Sequence, residues 1–235
     1  MLHEDFDYKI KKIGEPQGCS PLTVEQSDFF SEHFPPSYTQ FVQKFGLGHY
    51  FNRGWQFCDP QAFRPLLALI FKADPDFNHN DCHLAGFSAF GMLSVWSEQH
   101  WCVDIDLLKY EVNCSRLAPH IFNYTPPLPA GRRPVTANNM VSGLLPSEPD
   151  EVEFWDRDGR EMFARCVKAH GPLEAGECFG FVPSLGMTGY NSKYRYVEYV
   201  QRLKALEHFC LISQMKDFHL VRHNMGKVEQ IRVIG

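Results

Sequence analysis

Apolar positions in the first seventy residues recur at helical spacing. Thr23-Val-Glu-Gln26 has the layout of a capping box, in which a hydroxyl accepts from the amide three residues on, and it predicts a short helix to about residue 32. Pro35-Pro36 breaks the chain, and Pro36 suits a first helical position because its missing amide has no helical partner there anyway. Tyr38, Phe41, Val42 and Phe45 then fall on one helical face, and Gly46-Leu-Gly48 supplies a stop. Asp59-Pro60 has the form of a cap and first residue for the next helix, whose apolar stripe is Phe63, Leu66, Leu67, Ile70 and Phe71.

Beyond Asp74-Pro-Asp76 the period changes from helical to extended. Segments 84–90, 92–97 and 100–108 are short, rich in aromatic and aliphatic residues, and separated by Gly91 and Glu98-Gln-His100. Trp101, Val103, Ile105 and Leu107 alternate with Cys102, Asp104, Asp106 and Leu108, the period of a half-buried strand. This predicts an antiparallel meander covered on one face by the preceding helices. Segment 119–134, punctuated by Pro126, Pro127, Pro129, Gly131 and Pro134, reads as a connection. After it, Thr136 is placed to cap a helix to residue 145, an acidic loop spans 146–150, and Asp158 is placed to cap a helix through Cys166 that stops at Gly171-Pro172. Segment 177–185 reads as a strand, 194–215 as the longest helix, and 218–234 as one or two edge strands. The expected fold is α+β: an antiparallel sheet covered by helices, in two closely associated subdomains, 1–118 and 135–235, joined by the proline-rich connection.

Charge narrows the partners. Of the net −5, residues 1–125 carry 9 basic against 15 acidic side chains, and no basic cluster stands anywhere. Nucleic-acid binding, which needs clustered Lys and Arg on phosphates, is therefore not expected, whereas encounter with a basic partner is favoured. The opening residues 1–12 lack the apolar run of a signal peptide, and no stretch reaches the roughly 18 apolar residues that cross a bilayer. A cytoplasmic location follows as the expectation. The eight cysteines contain no Cys-x-x-Cys pair and read as reduced, small core residues.

Chemistry-bearing motifs are sparse. Gly46-Leu-Gly48 ends a helix where a phosphate loop must begin one, and Gly180-Phe-Val-Pro-Ser184 lacks the frame of a nucleophile elbow. His79, Cys82 and His83 are of metal-ligand type, but no second His/Cys pair completes four ligands, so they read as structural. Asp104 and Asp106 share one face of a strand, which allows paired acid/base work and is equally the pattern of a solvated face. Glu207 and His208 are adjacent on a helix and point about 100° apart, against joint catalysis. The expectation is no catalytic residue, no metal and no cofactor.

The acidic run 147–158 is different in kind. Glu148, Asp150, Glu151, Glu153, Asp156 and Asp158 surround Phe154 and Trp155, a composition that fits a basic protein surface, with carboxylates steering and aromatics anchoring; it fits equally a solvated loop whose aromatics turn inward. Asp74, Asp76 and Asp81 form a second acidic patch.

Several stretches together resemble known bacterial domains. Pro36-x-Tyr38-x-x-Phe41, Phe45-Gly46-x-Gly48-x-Tyr50, Trp55-x-Phe57-x-Asp59-Pro60-x-x-Phe63, Ile70-Phe71-x-x-Asp74 and Ala85-Gly86-Phe87-Ser88-Ala89-Phe90-Gly91 with Trp96 resemble the GAD-like domain. The run Cys178-Phe-Gly-Phe-Val-Pro-Ser-Leu-Gly-Met187, with Glu207-His208 and Leu211-Ile-Ser-Gln214, resembles the C-terminal domain of immunity proteins against type VI secretion DNase toxins. More distantly, the first half is similar to the SMI1/KNR4 group. The resemblance implies a non-enzymatic protein that binds and neutralises a cognate nuclease, and it supplies no catalytic residues. A non-catalytic adaptor is the alternative, and a metal-assisted hydrolase built on His79, Cys82 and His83 is a third.

Overall fold

The structure, a computed structural model, describes residues 2–119, 135–224 and 226–235, so the expected connection at 119–134 lies almost wholly outside the described residues. The first half runs α1 (Glu4–Ile13), β1 (Gln17–Ser20), α2 (Val24–His33), α3 (Pro36–Phe45), β2 (Leu47–Tyr50), β3 (Trp55–Phe57), α4 (Arg64–Phe71), β4 (Cys82–Ser88), β5 (Met92–Ser97), β6 (Trp101–Asp106) and β7 (Glu111–Asn113). The capping box forms in full: the Thr23 hydroxyl accepts from the Gln26 amide at 3.2 Å, and the Gln26 side-chain carbonyl accepts from the Thr23 amide at 3.1 Å. α3 ends at Gly46 with φ 80°, where a Cβ would lie 2.1 Å from the Ser20 carbonyl oxygen, so glycine is required twice over. α4 starts later than Asp59-Pro60 implies. The Asp59 carboxylate takes the Gln61 amide at 2.9 Å in a separate turn, and the helix begins at Arg64 with Pro65 in its first turn.

The second half continues with α5 (Ala137–Met140), a 3₁₀ turn at Val141–Leu144, α6 (Phe163–His170), β8 (Glu177–Phe181), α7 (Leu185–Thr188), β9 (Val200–Lys204), α8 (Ala205–Ser213), β10 (His219–Asn224) and β11 (Lys227–Val233). Thr136 caps α5 as its position implies, accepting from the Asn139 amide at 3.3 Å. Asp158 does not cap α6. That role falls to Glu153, whose Oε1 accepts from the amides of Met162 at 3.1 Å and Phe163 at 2.9 Å. The expected long helix at 194–215 is split, because Val200–Lys204 pairs as a strand with β8 and only Ala205–Ser213 is helical. Residues 194–199 lie outside any strand or α-helix, with a 3₁₀ turn at Val197–Tyr199, and within the ladder Arg202 meets Glu177 at 2.7 Å.

Nine strands form one sheet in the order β1-β2-β3-β4-β5-β6-β7-β10-β11, antiparallel throughout except for the parallel β7–β10 pair, and β8–β9 form a separate two-stranded sheet. Contrary to the one-sided meander expected, both faces of the central strands are covered, and all seven residues of β4 are buried. On one face Leu84, Leu93, Val95, Val103, Ile105 and Val112 pack with Leu67, Ile70 and Phe71 of α4 and Phe209 and Ile212 of α8. On the other, Trp55, Phe57, Ala85 and Trp96 pack beneath Phe6 of α1, Phe29 and Phe30 of α2, Tyr38 and Phe41 of α3, and Val141 and Leu144. The cover is aromatic: Phe6 stacks on Phe41 at 4.9 Å and Phe34 on Tyr38 at 4.9 Å. The eight cysteines are all free thiols, buried or half-buried, and burial pushes those of Cys82, Cys102 and Cys166 up to about 12. No helix among the described residues is long and apolar enough to cross a membrane.

Two buried carboxylates brace the architecture. The Asp156 side chain is wholly buried, and its Oδ1 accepts from the amides of Asp158 at 2.9 Å and Arg160 at 3.0 Å. Its Oδ2 meets the Arg160 guanidinium at 3.0 Å and that of Arg165 at 2.6 Å. Asp74 takes the amides of Asp76, Phe77 and Gly235 together with the guanidinium of Arg232, which also reaches Asp76 at 2.6 Å. Burial alone would raise both acids, but these donors outweigh it and hold each at about 2, below the ordinary 3.8.

Two tests follow. A folded-state value below the unfolded one means stabilisation that is present at neutral pH and lost as pH falls from about 4 towards 2. Asp156→Asn is expected to cost about 1–3 kcal/mol at pH 7, moderated because both arginines reach solvent, and the difference from wild type in urea unfolding should shrink towards zero near pH 2. Gly86 lies directly under Trp55, and a Cβ there would sit 2.3 Å from the indole and 2.6 Å from the Gln56 carbonyl. Gly86→Ala should therefore lower stability by about 1–3 kcal/mol through overpacking, read as a lower urea midpoint.

Candidate functional site

The helical cover stops short of the outer strands, and a groove opens where it ends. Pairing places Met92 opposite Asp106 and Ser94 opposite Asp104, and then Asp104 opposite Asn113 and Asp106 opposite Glu111. These six side chains alternate with Leu93, Ile105 and Val112, which face the core, so they lie together on the opposite face. Gly143, Leu145, Pro146, Glu151 and Val152 form a wall over them, and Lys109 and His223 complete a cavity of about 340 Å³. A second hollow of about 150 Å³ shares Met92, Asp106, Lys109, Glu151 and Val152 and extends to Asp150, Glu153, Trp155 and Tyr190. Six carboxylates and a single lysine line the two hollows together, so the trough is acidic.

The wall is pinned by α1. Lys9 is buried, and its ammonium donates to the Leu145 carbonyl at 2.7 Å and to the Ser147 hydroxyl, while Lys12 pairs with Glu148 at 2.8 Å. Burial lowers the Lys9 pKa against the opposing pull of Glu151. The Ser147 amide in turn donates to Glu151 at 2.8 Å, which folds the wall into the 3₁₀ turn Pro149–Glu151.

Electrostatically the trough is strained at Asp104. Asp104 is exposed on its outer side, and the protein that rings it on the groove side removes enough solvent, with repulsion from Glu151 second, to push it up to about 6. Burial also raises Glu111. Asp106 is better served, taking the Leu108 and Lys109 amides at 3.0 Å and the Lys109 ammonium at 3.0 Å. Among the described residues Asp104 has no hydrogen-bond or ion-pair partner. A carboxylate so placed is stabilised by an incoming cation.

The sequence-derived acidic residues divide between this trough and the frame around it. Asp150, Glu151 and Trp155 line the trough, with Trp155 44% exposed. Glu153 also borders it but spends its carboxylate capping α6, and Phe154 is buried in a 5.2 Å stack on Phe90, an inward anchor and not a surface one. Asp156 is buried in its arginine pairs, and Asp158 bonds Arg160 at 2.7 Å and the Tyr196 hydroxyl at 3.0 Å. Glu148 sits outside on Lys12. The second patch is largely spent on contacts within the chain: buried Asp74 and half-exposed Asp76 hold Arg232, and Asp81 accepts from the Asn78 side chain at 3.0 Å. The trio His79, Cys82 and His83 does not converge, since Cys82 and His83 are successive strand residues on opposite faces, Cys82 in the core under α4 and His83 beside Phe29 and Phe34. Glu207 and His208 form no pair among the described residues; His208 is buried, and burial lowers it to about 4. Glu111, Asn113, Lys109 and His223 have no motif to mark them. Only the Asp106–Glu111 hairpin register and the late arrival of β10 bring them to Asp104.

Comparison with known proteins agrees with this architecture. Residues 4–109 match the family model of the GAD-like domain, and residues 138–216 match that of the T6SS immunity protein Tdi1, C-terminal. No curated protein matches the chain. Among solved structures, the crystal structure of Atu4351 from Agrobacterium tumefaciens superposes with a TM-score of 0.80 at 25% identity, covering 98% of each chain. Two regions of the chain are thus each similar to a known domain, 4–109 to the GAD-like domain and 138–216 to the C-terminal domain of the T6SS immunity protein Tdi1.

Proposed function

We propose that this chain neutralises a cognate type VI secretion nuclease by binding it, and that the acidic trough receives a basic segment of that toxin. The observation that carries the proposal is the gathering of six carboxylates, Asp104 and Glu151 among them, around one recess with a single lysine. A nuclease must present Lys or Arg around its phosphate site, and such a side chain entering the trough relieves the repulsion while its own charge is neutralised. The exposed indole of Trp155 at the far end offers apolar area beside the charges, the combination that concentrates binding energy in interfaces. In this reading Asp104 serves recognition, not proton transfer.

The test is binding to the nuclease encoded beside this chain. The double variant Asp104→Asn, Glu151→Gln should weaken the complex by about 2–4 kcal/mol, roughly 30- to 1,000-fold in Kd, and abolish protection of cells expressing the toxin, whereas Glu148→Gln outside the trough should change Kd less than about threefold. Unchanged protection by the double variant would remove the trough from the interface. A wild-type protein that neither binds nor protects would remove the immunity reading itself.

Acid should weaken the complex. A bound cation favours the charged form of Asp104, so binding tightens as pH rises through about 6 and loosens as it falls. Asp106, Glu111, Glu151, Lys109 and His223 share the trough, so the diagnostic is the comparison with Asp104→Asn. Between pH 7.5 and 5.5 the wild-type Kd should rise more steeply than the variant's, and parallel profiles would count against the assignment.

A further inference from the structure

Three side chains with metal-binding atoms meet on the face opposite α4, away from the trough. His33 is the last residue of α2, His83 the second residue of β4, and Glu98 lies in the turn between β5 and β6. Glu98 Oε1 stands 2.8 Å from His33 Nδ1 and 2.8 Å from His83 Nε2, and one ligand atom from each of the three residues lies within 4.8 Å of the others. The cluster is built into the fold. The His83 side chain is 1% exposed, its ring held between Phe29 at 5.4 Å and Phe34 at 5.7 Å, and the two imidazoles lie 4.6 Å apart. Its outer side is open, with the His33 side chain 25% and that of Glu98 42% exposed.

We propose that His33, His83 and Glu98 bind one divalent transition-metal ion of the zinc class. Two imidazole nitrogens and one carboxylate oxygen form a ligand set that suits such an ion, and three protein ligands with the fourth position towards solvent is the arrangement that leaves room for water or a further ligand. As the side chains stand, one carboxylate oxygen accepts from two imidazole N–H groups. A single cation replaces both protons and satisfies all three groups at once. A tetrahedral ion with bonds of about 2.0–2.1 Å sets its ligands roughly 3.3 Å apart, so each imidazole nitrogen needs to move from the carboxylate oxygen by only about half an ångström. The aromatic rings behind His83 exclude water from the inner side and fix the direction of its nitrogen. The ion would fasten the end of α2 to the sheet at β4 and the β5–β6 turn.

The proposal is tested on the full chain after chelator treatment, titrated with Co²⁺ and then Zn²⁺. The expected result is one Co²⁺ per chain, with the weak visible bands of a nitrogen–oxygen ligand set and no thiolate charge-transfer band, and a Zn²⁺-dependent rise in Tm. His33→Gln and Glu98→Gln, both at partly exposed positions, should each weaken Zn²⁺ binding at least about tenfold and remove the rise in Tm while leaving the metal-free Tm near wild type. Asp104→Asn in the trough should bind metal as the wild type does. The proposal falls if the wild type takes up no ion at sub-millimolar zinc. It falls equally if His33→Gln and Glu98→Gln bind as tightly as wild type, or if the bound cobalt shows thiolate ligation from the free cysteines.

Discussion

A helical cover of limited length can desolvate only part of a nine-stranded sheet, and that constraint organises the molecule. Aromatic residues from α1, α2 and α3 close over Trp55, Phe57 and Trp96, and the cover ends at Val141 and Leu144. Past that line the same sheet face changes character within one residue pair, from indole and phenyl to serine, aspartate and glutamate. On the reverse face α4 and α8 continue under the same strands, so the open strip keeps a rigid, dry backing. The recess is thus a boundary effect of the fold. Three of its carboxylates, Asp104, Asp106 and Glu111, stand on paired strands, and the other three come from the wall that α1 pins.

Asp74, Asp156 and Glu153 belong to the frame, each saturated by backbone amides or guanidinium groups, and they act as internal counter-charges and caps. Among the described residues Asp104 and Glu111 receive no such donors, and loss of solvent raises both. Composition counts all of these equally. Environment separates them, because a carboxylate whose lone pairs are already filled has little left to offer a partner, while an unsatisfied one beside another negative charge has a good deal.

Much of the local structure was legible in the chain itself. Thr23 and Gln26 spell a capping box, Gly46 a helix end and the 84–108 region a meander, because each signal depends on residues a few positions apart. The family resemblance was legible for the same reason, in ordered aromatic and glycine patterns. What failed depended on distant partners. The helix expected from Tyr194 gave way to β9 because β8 offers an edge to Val200–Lys204, and Asp158 lost its capping role to Glu153 because the chain turns back at Asp156. Half of the trough was visible as Asp104 and Asp106 on one strand face and as the acid-rich 147–158 run. That these two would face each other across a recess, joined by Glu111 and His223, is tertiary information with no counterpart in spacing. His83 was singled out with the wrong companions for a similar reason, since its neighbours in space come from 50 residues before it and 15 after.

The parallel β7–β10 junction carries a consequence for the order of assembly. Residues 219–233 enter the sheet beside a strand completed a hundred positions earlier, and Arg232 closes on Asp74 across 158 residues of sequence. Without the β10–β11 hairpin the β7 edge has no partner strand and Asp74 lacks its guanidinium. Contacts of such long sequence separation are of the kind that slows folding, and an uncovered edge strand is of the kind that pairs with other chains. Docking of the β10–β11 hairpin thus decides whether the sheet ends at a covered β7 or at an open one.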